Sequence, residues 1–427
     1  MKRTESFSII LISLIFLIFY FGFFFGENSS GSGGYDGDLF YIWNNQLTFK
    51  NFSLKEAIDF TAEYNPEFYQ SSKIPMSYIL NKYLNPFLFN IENFRLTVFI
   101  LSCLTPLFLY LTLKEKYTRS NKYDLLLISF FLFLSPYFRT SGYWGLEENY
   151  GTLTAIISYY LFYSYKKTEN VKEFKIFFKI LLFTFFSSLC VYFDQKLVII
   201  PLICYLQIFF SKKKKYEKIL VSFFYILFSL PCLYLIYRWK SVMPVSDSVH
   251  RNFGQLSFQN IGFTISIFSF YLFPLLFFKE KNYSIREVLF SRLNILILLL
   301  TFIYIIYLIF FYEAKLQGLG GGAVIKFISL IFNNNSTIKI FFAISLIPSI
   351  LLILAFFHKN KFDLLILIFF LILSLIISPL YQEYFDPLIV LIALFFFKVP
   401  LIINFKNNLI LLFYYSITLI GSIFYYL

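Results

Sequence analysis

Asp36 and Asp38 stand two residues apart in Gly34-Tyr35-Asp36-Gly37-Asp38-Leu39-Phe40-Tyr41-Ile42-Trp43, just past the first long apolar run. Carboxylates at the point where a chain leaves a membrane suit a base acting on a lipid-linked substrate. Positioned general-base assistance is typically worth ~10²–10⁴-fold. The same residues would equally serve to solvate a loop. In the base reading Asp38 takes the proton. Asp36 is its substitute, or a like-charged neighbour that raises its pKa, and Trp43 adds an aromatic substrate contact.

Further along, Arg139, Trp144, Glu147 and Glu148 crowd the stretch Phe138 to Tyr150. Aromatic faces stack on pyranose rings and carboxylates accept from hydroxyls, so this is a sugar-facing patch or, alternatively, an interfacial aromatic belt. The segment Pro244 to Gln255 carries Asp247, His250, Arg251 and Gln255. His250 between Asp247 and Arg251 makes an acid/base or phosphate-contacting cluster, unless it is an incidental loop histidine. One histidine without a cysteine or second histidine nearby is a poor metal site, so no metal ligands are assigned, and a divalent cation (Mg2+ or Mn2+) stays open as a cofactor. Gln317 to Ala323 is glycine-rich and flanked by Lys315 and Lys326. It lacks the Gly-Lys-[Ser/Thr] ending of a P-loop and reads as a mobile loop over a lipid phosphate or as a plain connector. Glu383, in Tyr381 to Pro387, completes the set at another helix junction.

The elements that must position these residues are helices in a bilayer. With 59% hydrophobic and 14% charged residues among 427, the chain departs from a soluble globule, which is about half apolar and about a quarter charged. Apolar runs near the ~20 residues that cross ~30 Å of hydrocarbon recur from end to end. They are apolar nearly all round and do not alternate as barrel strands do. The expectation is an all-α polytopic membrane protein forming a single transmembrane domain over 1–427. About thirteen helices fall near 8–25, 94–113, 124–138, 151–165, 176–193, 197–210, 219–237, 262–278, 295–311, 339–357, 364–380, 387–397 and 409–426. No Ala-x-Ala-like cleavage site follows Phe25, so the first run is read as a retained helix. The four cysteines fall in or at the ends of apolar runs and read as small buried residues.

The net charge of +13 follows the loops and does not point to nucleic acid. Placing the N-terminus inside puts nearly all dense Lys/Arg clusters on one face, as the positive-inside rule asks. The opposite face then carries the acidic and aromatic stretches, headed by a long first loop over 26–93. Within that loop Ser53-Leu54-Lys55-Glu56 is a capping-box pattern, and a second amphipathic stretch, Met76 to Leu84, follows Pro75. Both suit helices lying in the interface plane.

This order of features resembles the GT-C glycosyltransferases, which use polyprenyl-phosphate-linked sugars, and within them the branch that adds the terminal glucose of the dolichol-linked oligosaccharide. Five short stretches carry the likeness: Asp38 to Ile42, Lys73 to Tyr78, Phe193 to Lys196, Asp247 to Gln255 and Tyr381 to Pro387. The last differs in having no basic residue. The resemblance implies inverting transfer from a polyprenyl-phosphate-linked sugar to a glycan or lipid-linked acceptor, with an Asp base in the first loop. Because these loops share one face, Glu147 and Glu148 are then expected to hold sugar hydroxyls, and Arg251 with Lys315 or Lys326 to face the phosphate, Arg offering it a bidentate fork. Two other classes are weighed beside it: a polysaccharide polymerase of the O-antigen type, and a flippase or transporter for lipid-linked oligosaccharide. The Phe, Ile, Asn and Lys bias suggests a bacterial inner membrane with a periplasmic active face, the endoplasmic reticulum being the alternative.

Overall fold

The computed structural model describes residues 3–31, 33–63, 67–167, 173–244, 256–280, 285–311, 320–357, 361–377 and 379–426. In chain order the helices are α1 (Arg3–Phe24), α2 (Asp38–Asn51), α3 (Leu54–Ala62), α4 (Met76–Leu84), α5 (Ile91–Lys116), α6 (Lys122–Ser129), α7 (Pro136–Trp144), α8 (Glu148–Lys166), α9 (Glu173–Phe193), α10 (Ile199–Phe209) and α11 (Lys215–Trp239). There follow α12 (Gln259–Leu272), α13 (Ile285–Leu289), α14 (Arg292–Phe311), α15 (Ala323–Ile331), α16 (Asn335–Phe357), α17 (Lys361–Leu375), α18 (Leu388–Phe395) and α19 (Phe405–Tyr426). No strand occurs among the described residues; Lys279 and Leu401 form an isolated bridge.

Seven of these helices, α1, α5, α9, α11, α14, α16 and α19, are long and apolar enough to cross a membrane. The segments Lys122–Leu134 and Pro136–Trp144 pass the same test together, bent by 68°, which raises the number to eight if they form one span. The bend has a local cause. Pro136 has no N–H and disfavours the helical conformation at the residue before it. Ser135 is accordingly extended, and its hydroxyl accepts from Phe138 N at 3.2 Å to cap the new helix. Each of the other segments expected from the sequence also falls on a helix. Several are shorter, such as α10, α17 and α18, and at Pro274 the helix that begins as α12 gives way to a 3-10 turn over Pro274–Phe278.

The chain divides into two compact units, one of Met1–His250 with Ile403–Leu427 and one of Arg251–Ile402. In the first, aromatic rings fill the seam between α1, α5 and α7. Phe19 stacks on Phe133 with centroids 4.0 Å apart and Phe23 on Phe99 at 4.2 Å. The first loop is folded, as its sequence suggests. Ser53 N donates to Glu56 Oε2 at 2.9 Å while Glu56 N donates to Ser53 Oγ at 3.3 Å, closing the capping box that starts α3. Helix α4 occupies Met76–Leu84 directly after Pro75. In the second unit α12 packs on α16 and α17, and Gly320, Gly321 and Gly322 take left-handed backbone conformations at the entrance to α15. A Cβ at Gly320 would meet Leu380 O at 2.7 Å.

Candidate functional site

Helix α2 begins at Asp38, whose carboxylate sits in the first turn, where the helix dipole favours negative charge. Asp38 is half-buried and Asp36, in the turn before it, is exposed. Beside Leu39, Ile42 and Phe49, α2 also buries three polar side chains, Asn45, Gln46 and Thr48. Each satisfies backbone or side-chain groups of the coil and helix opposite. Asn45 accepts from Gln70 N at 2.8 Å and donates to Gln70 O at 3.0 Å and to Tyr78 Oη at 3.3 Å. Gln46 donates to Tyr78 O at 3.3 Å. Phe49 stacks on the Tyr78 ring at 5.7 Å. Tyr78 is therefore fixed from one side by α2.

From the other side Tyr78 reaches the turn between α7 and α8. Its hydroxyl donates to Glu147 Oε1 at 2.6 Å. Glu148, the next residue, accepts a hydrogen bond from Lys73 Nζ through Oε1, while Glu147 Oε2 stands 3.7 Å from the same ammonium. On α4, Asn81 donates to Tyr150 Oη at 3.1 Å. The turn after α9 closes the group: Lys196 Nζ lies 2.9 Å from Asp194 Oδ2, and Gln195 donates to Ser72 O at 3.1 Å. Gly151 lets that turn approach α8, since a Cβ there would stand 2.7 Å from Leu197 and 3.3 Å from Asp194 Cβ. Three turns thus meet in one cluster of three carboxyls and two lysines.

Burial and charge divide these groups. Burial pushes the Glu147 carboxyl above its ordinary value, and adjacent Glu148 pushes the same way against the pull of Lys73. Burial also opposes ionisation of Glu148, but Lys73 and Lys196 outweigh it and hold that carboxyl well below the usual range. Burial works against the charge on Lys73 too, and Glu148 and Glu147 overcome it, raising the ammonium's pKa. The Tyr78 phenol is raised by burial and by Glu147. Among the described residues no three His, Cys, Asp or Glu side chains are grouped to hold a metal ion; these carboxyls converge on an ammonium instead.

The sequence-derived candidates fall into separate places. Asp36 and Asp38 lie beside the α7–α8 turn: Tyr35 meets Trp144 edge-on at 5.5 Å, and a Cβ at Gly145 would come 2.7 Å from Phe94 and 3.6 Å from Leu39. Trp43 is half-buried with its ring 5.8 Å from Phe94. Arg139 is committed to contacts inside the protein. It is fully buried on α7, donating to Glu27 Oε1 at 2.7 Å and to Phe133 O at 2.8 Å, with a second contact to Glu27 Oε2. Trp144 is buried as well, donating to Glu27 O at 3.0 Å, with the Arg95 guanidinium 4.4 Å over its ring. Of the stretch 139–150 between the helices expected at 124–138 and 151–165, α7 takes 139–144 and α8 begins at Glu148, and Arg139 and Trp144, both on α7, point into packing. Asp247, His250, Arg251, Gln255 and Lys315 lie outside the described residues. Lys326 on α15 and Glu383 in the turn before α18 are half-buried in the second unit.

Residue type alone does not mark Lys73, Tyr78, Asp194 or Lys196; they lie in Lys73 to Tyr78 and Phe193 to Lys196, two of the stretches that resemble the family, which the fold brings together. Fold and site together define a polytopic α-helical membrane protein with a folded first loop closed over a buried charge cluster. Comparison with protein-family models, with curated proteins and with solved structures finds no match in any of the three.

Proposed function

We propose that this chain is a GT-C-type membrane glycosyltransferase, moving a sugar from a polyprenyl-phosphate donor to a glycan or lipid-linked acceptor on the extracytoplasmic face. The observation that supports it best is the pairing of Tyr78 with Glu147 and Lys73 with Glu148. It gathers two of the stretches that resemble the family, Lys73 to Tyr78 and Phe193 to Lys196, around the α7–α8 turn. Asp38, which opens a third, heads the helix that holds Tyr78. On this reading the chain crosses the bilayer about thirteen times, as the sequence suggests, the long helices spanning it and the shorter apolar ones completing crossings together with the segments next to them. The N-terminus is cytoplasmic, and a bacterial inner membrane with a periplasmic active face is the setting.

In the transfer, Asp38 accepts the proton of the attacking hydroxyl. The new oxygen–carbon bond forms at the anomeric carbon while the bond to the lipid phosphate breaks on the opposite side, and the phosphate departs with the bonding pair. Asp36 is the neighbouring carboxylate, and Glu147 and Glu148 are assigned to sugar hydroxyls. The test uses full-length protein in nanodiscs with a panel of polyprenyl-phosphate sugars, scored for release of free lipid phosphate. Release by the parent protein that is lost in a folded Asp38→Asn variant supports the reading. Release that persists when Asp36 and Asp38 are each replaced by asparagine sinks the assigned base, and no release from any donor sinks the transfer.

A further inference from the structure

The cluster around Lys73 contains two adjacent carboxyls that are not equivalent. Glu148 Oε1 is bonded to Lys73, whereas the nearer oxygen of Glu147 is 3.7 Å away, too long for a hydrogen bond. Glu147 is the more enclosed, its side chain 3% exposed against 21% for Glu148. The charge count points the same way. Glu147, Glu148 and Asp194 face Lys73 and Lys196, and Lys196 stands 2.9 Å from Asp194 while also acting on Glu148. Two lysines cannot neutralise three carboxylates, and the adjacent ionised pair Glu147 and Glu148 in a low-dielectric setting is costly. A proton resolves the imbalance, and it belongs on the carboxyl that is more buried and farther from the ammonium. The other groups facing Glu147 are Tyr78 on α4, which donates to Oε1, and Tyr150 on α8 beyond Asn81.

Glu148 has a further property. Its Oε2 is enclosed and makes no hydrogen bond in the protein. An ionised oxygen left in that condition costs free energy until something donates to it, and a substrate hydroxyl reaches it only by a local opening of the chain that covers it. Part of the side chain is open and it sits at the first turn of α8, where the helix dipole favours the anion.

We propose that Lys73 is a positioning residue that divides the pair, keeping Glu148 as the carboxylate that accepts from a substrate hydroxyl and leaving Glu147 to carry the cluster's proton. The hydroxyl-bearing substrate rests on the glycosyl-transfer reading; the division of the pair does not. Separation of two neighbouring carboxyls into one neutral and one charged member is how a single site supplies different roles from like groups. Lys73 then has a purpose beyond holding the first loop down.

The test is infrared difference spectroscopy of full-length protein in nanodiscs, following the carbonyl stretch of protonated carboxyls, paired with the transfer assay. At about pH 7, above the ordinary range of a carboxyl, the parent protein should show a band that Glu147→Gln removes. Lys73→Met should add to the band as Glu148 also takes a proton, and Lys73→Arg should leave it unchanged. A band absent from the parent, or one that survives Glu147→Gln, overturns the division. In the assay, Lys73→Met and Glu148→Gln should each raise KM about tenfold, the effect of losing one charged hydrogen bond, with Lys73→Arg restoring it. An unchanged KM in both variants overturns the role of Glu148. The expected infrared pattern in a protein that transfers no sugar leaves the divided pair standing and removes the transfer reading alone.

Discussion

Tyr78 donates its hydroxyl to Glu147 across 69 residues of sequence, at 2.6 Å. That bond ties α4 of the first loop to the turn between α7 and α8, and Asn45 on α2 braces the same hydroxyl at 3.3 Å. Asn45 lies seven residues after Asp38, two turns along one helix face, so Asp38 stands about 10 Å along the axis from this junction. The proposed base and the charge cluster are therefore held by one rigid helix.

Tyr78→Phe removes the bond while keeping the ring that stacks on Phe49. Leaving Glu147 Oε1 and Asn45 without this partner should cost about 1–3 kcal/mol. The measurement is thermal unfolding in detergent beside Phe49→Leu, which tests the stack alone. A Tyr78→Phe protein as stable as its parent would show that the hydroxyl link does not hold the loop.

Arg139 and Glu27 are a buried pair, and breaking such a pair by removing one partner costs about 3–5 kcal/mol. Glu27→Gln and Arg139→Met should each lower folded yield and unfolding temperature sharply, and the double variant should recover part of the loss. Loss of transfer with unchanged stability in Arg139→Met would instead return Arg139 to the substrate.

Gly22 makes room for that pair. A Cβ there would come 2.6 Å from Arg139 Nη2 and from Tyr143 Oη, and 2.8 Å from Glu27 Oε2. Gly22→Ala should destabilise by about 1–3 kcal/mol through overpacking, and Gly421→Ala, with nothing within 4 Å of its Cβ, should be near neutral. Equal effects at the two positions would contradict the packing described here.

The lysine–carboxyl cluster sets a pH dependence whose sign follows from its parts. Glu148, held below its ordinary value, contributes stability that is present above that value and lost as the pH falls towards its folded pKa. Lys73, raised, contributes stability that is present below its ordinary value and lost as the pH rises beyond it. Glu147, raised, binds its proton more tightly folded than unfolded, so stability declines as the pH climbs from its ordinary value through its folded pKa. Unfolding temperatures across pH should therefore show that decline in the parent and a flatter profile in Glu147→Gln. Parallel profiles would mean that Glu147 does not titrate differently on folding.

The all-helical, membrane-embedded character was legible in the sequence because a bilayer admits few solutions: long apolar runs must become helices that satisfy their own backbone. Local chemistry was legible for the same kind of reason. Ser53 and Glu56 form their box and Pro75 precedes α4, since caps and proline act within a few residues, whereas α2, which starts after Gly37 with no side-chain cap, is not legible in the acidic stretch that opens it. What the sequence could not tell was which charges face one another. Arg139 and Trp144 read as surface groups beside Glu147 and Glu148, yet Pro136 starts a helix that turns both into the packing against Glu27. Lys73, Asp194 and Lys196 sit in stretches of no special composition and acquire their meaning from Glu147 and Glu148, which reach them only through the fold. A carboxyl's protonation and partners depend on burial and on charges within a few ångströms, and for residues this far apart along the chain those distances are set by tertiary packing alone.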